Sequence, residues 1–250
     1  MEELGALVLT NNEADNIEDC LSSLSWLDEI VVIDSYSEDN TVELAREYTN
    51  KVYQHEFEDF ASQRNFGLEK LSTSWVLVVD ADERVTPELA AEIKEVLTNP
   101  QAEGYRIPRK NYFLGRWIKY CGWYPDYTLR LFKRAGNKYS GLVHEGVEIT
   151  GRVEELANPL LHYTYRSLTH YISKLNHYTS LSAEKKYQLG QNKGMTYIFL
   201  RPIVEFIKKY ILRKGFLLGA HGLILSILLS YYSFLKYAKL WEKNKNEPED

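Results

Sequence analysis

The sequence predicts an α/β protein: a mostly parallel sheet with helices on both faces, closed by a C-terminal helical extension. Three observations carry that prediction. Apolar runs at residues 4–9, 29–34 and 75–79 each break into polar residues and then into apolar positions at helical spacing, the alternation of a parallel α/β sheet. The run WVLVV at 75–79 has no period of two, as expected of a strand covered on both faces. Beyond residue 100 this alternation gives way to short strands joined by aromatic, glycine-rich segments, and beyond residue 190 to helices.

Residues 4–9 form the first strand and open into Thr10, Asn11, Asn12 and Glu13, after which Ile17, Leu21 and Leu24 share a helical face. EIVVID at 29–34 repeats the plan: a strand ending in an acid, the polar loop SYSEDN, then Val42, Leu44 and Ala45 in a short helix. A weaker strand lies near Val52, and a helix over 60–71 carries Gln63, Arg64 and Asn65. The strand from Trp75 runs out into Asp80, Asp82 and Glu83, and Thr86 as N-cap with Pro87 at the first helical position starts a helix over 86–97.

Strands follow at 105–109, 128–134, 143–149 and 160–162, then a long helix over 167–189. In the segment 195–212, Ile203, Phe206, Ile207, Tyr210 and Ile211 face one way and Lys208, Lys209, Arg213 and Lys214 another, the pattern of an interfacial amphipathic helix. Residues 216–235 carry no formal charge and are long enough to span a bilayer. Gly219, Gly222, His221 and the paired tyrosines Tyr231 and Tyr232 weaken that span, so peripheral or monotopic attachment is expected. The predicted organisation is a domain over 1–190, in halves 1–100 and 101–190, with an extension over 191–250.

At 250 residues, 44% apolar and 26% charged, the chain is long and apolar enough to bury a full core. Its net charge of −5 is unevenly placed: residues 201–250 carry +4 and the first 200 carry −9. A basic, apolar tail on an acidic body predicts an anionic membrane surface as partner for the tail. Nucleic acid is excluded as a partner, because no zinc finger, RNP motif or basic stripe appears. Cys20 and Cys121 stand far apart without CxxC spacing, which signals neither a disulfide framework nor a thiolate metal site. The start MEELG has no basic stretch followed by an apolar one, so a protein kept in the cytoplasm is expected.

In sheets of this kind ligands bind beyond the carboxyl ends of the strands. Thr10–Glu13, the loop from Asp34, and Asp80–Asp82 all fall there. Asp80 and Asp82, spaced i, i+2, can share a hard divalent ion that keeps positions for phosphate oxygens; the other reading of the pair is a solvated turn. Neither GxGxxG nor GxxxxGK[ST] occurs, which disfavours a dinucleotide dehydrogenase and a P-loop NTPase. Trp117, Trp123, Tyr124 and Tyr127 suit either a hydrophobic mini-core or a platform for a sugar ring or lipid headgroup.

TNNEADNI, VVIDSYSEDNT, QRNFG and VVDADE, in that order and spacing, resemble the inverting family 2 glycosyltransferases of the GT-A fold. The second half, with GWYPDYTLRLFKR, GLVHEGV and the KGFLLGAHG tail, is similar to the bacterial lipopolysaccharide-core β-glucosyltransferases. This resemblance implies a UDP-sugar donor, a divalent metal (Mn2+ or Mg2+), a glycolipid acceptor, and action at the cytoplasmic face of the inner membrane. It places Thr10, Asn12 and Glu13 near the nucleotide, Asp34 on the uracil, Arg64 near the base or diphosphate, Asp80 near the ribose and Asp82 on the metal, with His162 completing the metal shell. Ser35 and Tyr36 depart from the family's usual acid and glycine, which leaves the ribose contacts of that loop open.

Inverting transfer needs a base to take the acceptor hydroxyl proton, and the candidates are Glu145 in VHEG and Asp126 in WYPDY. Trp123, Tyr124, Arg166 and Lys174 are the expected acceptor contacts. Two further readings stay open on sequence: a polyprenyl-phosphate acceptor, which needs no base, and a non-catalytic sugar-nucleotide sensor at the membrane.

Overall fold

The computed structural model describes residues 2–140, 146–165 and 167–245. The described chain divides into two compact units: residues 1–110 with 125–162, and residues 111–124 with 163–250. This division does not follow the expected boundary at 190, because the long helix of 168–188 packs along the C-terminal helix in the second unit.

The first unit opens with β1 (Leu4–Thr10), α1 (Ala14–Ser22), β2 (Glu29–Asp34), α2 (Thr41–Arg46), β3 (Val52–Gln54), α3 (Phe60–Lys70), β4 (Trp75–Asp80), β5 (Glu83–Val85) and α4 (Pro87–Val96). The expected strand–helix alternation is present as far as β4, which the short strand β5 follows directly before α4. The side chain of Thr86 accepts from Leu89 N at 3.1 Å and Pro87 starts α4, as their order in the sequence predicts. The chain continues through β6 (Gly104–Phe113), β7 (Arg116–Trp117), β8 (Tyr127–Lys133), β9 (Tyr139–Ser140), β10 (Gly146–Val147), β11 (Val153–Glu155) and β12 (Leu160–Tyr165). The predicted strand at 143–149 is described only from Gly146 on.

Sheet order is β3–β2–β1–β4–β8–β6–β12–β5. The first four strands are parallel, and β8 pairs antiparallel with β4. Both faces of β4 are covered, as its unbroken apolar run requires: Leu77 and Val79 pack with Ile17, Leu21, Leu89 and Ile93, and Val76 and Val78 with Leu68 and Leu71. Helix α3 lies so close to the sheet that a Cβ on Gly67 would meet Leu7 Cδ1 at 2.3 Å, so any larger residue there would force Leu7 to move. Register pairs Thr10 with Asp34 and Leu9 with Asp80, which levels the carboxyl ends of β1, β2 and β4.

The second unit holds α5 (Leu168–Gln188) and α7 (Ala220–Lys245) around Phe113, Ile118, Cys121, Tyr171, Leu175, Leu218 and Leu225, while α6 (Met195–Ile207) packs through Ile198 with Ala183, Tyr237 and Leu240. Cys20 and Cys121 are both free and buried. A π turn over Lys208–Leu212 and a 3-10 turn over Gly215–Leu218 join α6 to α7. Pro202 interrupts the amide ladder of α6, and Ser230 Oγ on α7 donates to the Pro202 carbonyl at 2.7 Å. The predicted amphipathic segment is present, and much of its apolar face is unburied: Phe199, Leu200, Ile203, Val204, Ile207 and Ile211 are all exposed. Phe206 and Tyr210 instead stack on each other at 5.3 Å. Among the described residues α7 alone is long and apolar enough to cross a membrane.

Candidate active site

The levelled ends of β1, β2 and β4 bring three loops of the first unit together. Thr10 closes β1 and is buried, yet its Oγ1 has no hydrogen-bond partner; its carbonyl accepts from Ser35 N at 3.0 Å. Asn12 takes a left-handed backbone, φ +54, and does not cap α1. It laces the first loop to the second: its amide donates to Ser37 Oγ and its Oδ1 accepts from Glu38 N, each at 2.8 Å. Glu13 N donates to Thr41 Oγ1 at 2.9 Å, and its carboxylate accepts from Asn16 Nδ2 at 2.5 Å.

Asp34 is fully buried, and its carboxylate is turned into its own loop, accepting from Ser37 N at 2.9 Å, Ser37 Oγ, and Gln54 Nε2 at 3.3 Å. Around it His55 stacks on Phe66 with centroids 4.1 Å apart, and Gln63 donates to Ser35 Oγ and the His55 carbonyl at 3.1 and 2.9 Å. His55 Nδ1 and Gln63 Oε1 are buried without partners.

The end of β4 carries the charge. Asp80 Oδ1 accepts from Arg64 Nη2 at 3.3 Å and Oδ2 from Arg130 Nη2 at 2.5 Å. Arg64 is therefore no ordinary surface cation: it is buried, with its guanidinium 5.2 Å from the Tyr139 ring centre. Burial alone would raise the Asp80 pKa, but Arg130 and Arg64 hold it far below the usual carboxylate range. Arg130 also donates to Glu83 Oε1 at 2.7 Å, while Glu83 Oε2 accepts from Asp80 N at 3.0 Å. Glu83 is wholly buried and Arg130 nearly so. The next cation out, Arg109, stands 3.6 Å from Glu83 Oε1 and grips Asp126 Oδ2 through Nε at 3.0 Å and Nη2 at 2.6 Å.

Asp82 Oδ2 lies 3.4 Å from His162 Nε2, each side chain mostly buried. Burial lowers the His162 pKa, but the hydrogen bond and charge of Asp82 outweigh it, and the net shift is upward. Among the described residues no three His, Cys, Asp or Glu side chains form a ready metal cage. One carboxylate and one imidazole are a fitting donor set for Mn2+ or Mg2+ when a diphosphate supplies the remaining oxygens.

Of the predicted residues, Thr10, Asn12, Glu13, Asp34, Arg64, Asp80, Asp82, Asp126 and His162 all belong to the first unit. Glu145 and Arg166 lie outside the described residues. Trp123, Tyr124 and Lys174 belong to the second unit, where Trp123 meets Phe113 edge-on at 6.2 Å, Tyr124 meets Trp117 edge-on at 5.5 Å, and Lys174 Nζ lies 5.8 Å from the Tyr165 ring centre. Tyr127, grouped with those aromatics by sequence, sits on β8 in the first unit. Sequence reasoning passed over Glu83, Arg109 and Arg130. The available signal was Arg130 itself, a charge between two leucines of a strand, which needs a buried partner.

The chain belongs to glycosyl transferase family 2, whose model matches residues 6–145. Its sheet, with the acid-bearing loops at the strand ends, is that of the GT-A fold. It is 29% identical to LpsC of Rhizobium meliloti, a lipopolysaccharide core biosynthesis glycosyltransferase, with 96% of this chain and 93% of LpsC covered. An uncharacterized glycosyltransferase of Rickettsia felis is 26% identical, with 98% and 93% covered. Among solved structures, residues 1–349 of S. aureus TarS, crystallised with UDP-GlcNAc, match with a TM-score of 0.50 at 14% identity, covering 97% of this chain and 91% of that one. That last likeness is one of fold.

Proposed function

We propose that the protein is an inverting glycosyltransferase that moves a hexose, glucose in our reading, from a UDP-sugar to a saccharide of a membrane glycolipid such as the lipopolysaccharide inner core. The observation that carries this is Asp82 with His162 at 3.4 Å, set at the end of β4 beside unpartnered buried groups on Thr10, His55 and Gln63. Buried polar atoms without partners mark a place where a polar ligand completes the hydrogen bonding. The relation to LpsC over nearly the whole chain supports the acceptor class.

In this reading Thr10, Asn12, Glu13, Asp34, Arg64 and Asp80 hold the nucleotide, and Asp82 with His162 holds Mn2+ or Mg2+. Such an ion stabilises the charge of the departing diphosphate. The base that takes the acceptor proton is Glu145 or Asp126; against Asp126 stands the grip of two guanidinium donors of Arg109 on its Oδ2. Residues 1–190 act as the catalytic part in this scheme. Residues 191–250 attach it to the inner leaflet, peripherally or monotopically, through the exposed stripe from Phe199 to Ile211 and the neighbouring Lys208, Arg213 and Lys214.

A thermal-shift panel of UDP-, GDP- and CDP-sugars with and without manganese tests the donor, and transfer of labelled sugar onto core saccharide or polyprenyl phosphate tests the acceptor. Manganese-dependent stabilisation by UDP-glucose and transfer to the saccharide are expected. Stabilisation by another nucleotide class alone would remove the donor assignment, and transfer only to polyprenyl phosphate would remove the acceptor assignment.

A further inference from the structure

The second unit contains a cavity of about 230 Å³ lined by Trp123, Tyr165, Tyr171, Leu175, Tyr178, Leu229 and Tyr232. Five of these seven residues are aromatic, and they come from four separate stretches of chain. Tyr165 and Tyr171 meet at 4.5 Å and 60°, and Trp123 and Tyr165 at 6.5 Å and 40°. A core filled for stability alone closes around its rings, whereas these rings are held around a space.

The hydroxyls distinguish the occupant. Tyr232 OH is engaged by Ser182 Oγ at 2.8 Å. Tyr171 is only 6% exposed overall, and its hydroxyl, which bonds to no described residue, is still reached by solvent. Burial also pushes its pKa up, so it stays a neutral donor and acceptor. A hydroxyl left to water in an aromatic cavity favours an occupant that can replace that water's hydrogen bond over one that cannot. A methylene chain fills the space but leaves that group unpaired. A pyranose ring offers carbon-bound hydrogens to the aromatic faces and hydroxyls to Tyr171, and Lys174, 5.8 Å from the Tyr165 ring centre, adds a donor nearby. The volume agrees, since it lies below the roughly 300 Å³ at which pockets for drug-sized ligands begin.

We infer that this aromatic cavity is a binding site for a single sugar ring, contributed by the acceptor and separate in sequence from the donor-holding loops. That the ring comes from the acceptor rests on the acceptor reading above. The assignment extends the acceptor contacts from Trp123 and Lys174 to Tyr165, Tyr171, Tyr178 and Tyr232.

Saturation-transfer NMR on the full-length protein in detergent tests it, with methyl gluco-, galacto- and mannopyranoside as ring probes and decanoate as a chain probe. Two variants accompany the parent: Tyr171→Phe, which removes one hydroxyl, and Leu229→Trp, which fills the cavity. At least one methyl glycoside should receive saturation, with affinity about fivefold weaker in Tyr171→Phe and the signal lost in Leu229→Trp. Glycoside signals unchanged in both variants, no glycoside signal in the parent, or saturation of decanoate alone would each overturn the assignment, the last in favour of an acyl-chain site. Core oligosaccharide freed of lipid, compared with intact glycolipid in vesicles, identifies the ring's source. The UDP–manganese thermal shift, run on the same preparations, reports the donor site independently: its absence in the parent breaks the donor reading and leaves the glycoside result standing.

Discussion

The two ends of the parallel sheet in the first unit differ in how much buried polarity they leave unpaired: at the amino ends Trp75 Nε1 lacks a partner, while the carboxylate there is fully paired. At the amino ends Glu29, the first residue of β2, accepts from Lys51 Nζ, from Ser72 N and Oγ at 2.9 and 3.0 Å, and from Thr73 N at 3.3 Å. Every demand of that buried carboxylate is met within the chain. A cavity of about 890 Å³ opens beside it, lined in part by Glu3, Leu27, Tyr48 and Lys51. At the carboxyl ends Thr10 Oγ1, His55 Nδ1 and Gln63 Oε1 are buried with no partner, and the acids Asp80, Asp82 and Glu83 crowd one strand exit. A large cavity therefore stands at one end of the sheet, and most of the unpaired polarity at the other. Unsatisfied polarity is the better guide, because a group the protein leaves unpaired is paid for only when a ligand arrives.

The sharpest way to break this comparison is Asp82→Ala. The fold should survive, with the melting temperature without ligand only modestly lowered, since the substitution removes the carboxylate that pairs with the mostly buried His162. Manganese-dependent stabilisation by UDP should vanish, and transfer should fall by a factor on the order of 10² or more, the scale of removing a group that stabilises developing charge. A variant that binds UDP and manganese as the parent does would move the site away from the end of β4. His162→Ala should weaken metal dependence less, since it removes a neutral ligand rather than the charge.

Arg130→Met asks what the same end of the sheet costs in stability. The substitution keeps the stem and removes the cation between Asp80 and Glu83, leaving two carboxylates beside each other with Glu83 wholly buried. Breaking a buried pair by removing one partner costs about 3–5 kcal/mol. Urea unfolding should register a loss of that order, and Glu83→Gln in the same chain should return part of it. A loss below about 1 kcal/mol, the range of an exposed pair, would mean that the network is wet and loosely held.

How much of this was legible in the sequence depends on the range of the interaction. WVLVV announced a doubly covered strand, and Thr86–Pro87 a helix start, because both signals lie within one element. The acids at the ends of β2 and β4 were visible for the same reason. Arg130 and Glu83 are 47 residues apart and meet only through the antiparallel pairing of β8 with β4, which no local period encodes. The polar loop after Asp34 could be read, but not that Ser37 would turn back to occupy the carboxylate. The tyrosine-rich segment from Ser167 to Leu189 read as part of the first domain, yet its buried face, Tyr171, Leu175, Thr179 and Ala183, belongs to the second unit. Helical spacing gives a face without naming what covers it.

In α6 the alternation of apolar and basic residues also indicated the covering, a membrane interface, and the apolar face is left exposed by the protein. Ile203 is 55% exposed, so Ile203→Glu should change unfolding stability by no more than about 0.5 kcal/mol. If the stripe meets lipid, the substitution should lower co-sedimentation with anionic vesicles about tenfold or more, the equivalent of withholding one large aliphatic side chain from an apolar phase. Undiminished vesicle binding would place the membrane contact on another surface.

Substitution at the amino ends of the sheet should leave donor binding untouched. Glu29→Gln keeps the shape of the side chain and removes its charge, so it should cost roughly 1.5–3 kcal/mol at neutral pH, the range for a hydrogen bond to a charged group, while donor binding stays at the parent level. The pH dependence separates charge from shape. Burial pushes the Glu29 pKa up, but Lys51 and the amide and hydroxyl of Ser72 together pull it below its ordinary value of 4.5. A carboxyl whose pKa is lower folded than unfolded contributes stability that is fully present above the unfolded value and is lost as pH falls through the folded one. The parent should therefore lose stability on the acid side of about pH 4.5 faster than Glu29→Gln, and the two unfolding curves should converge as the solution is acidified. Curves that stay parallel from neutral pH downward would show that the ionised form of Glu29 is not what holds the amino ends together.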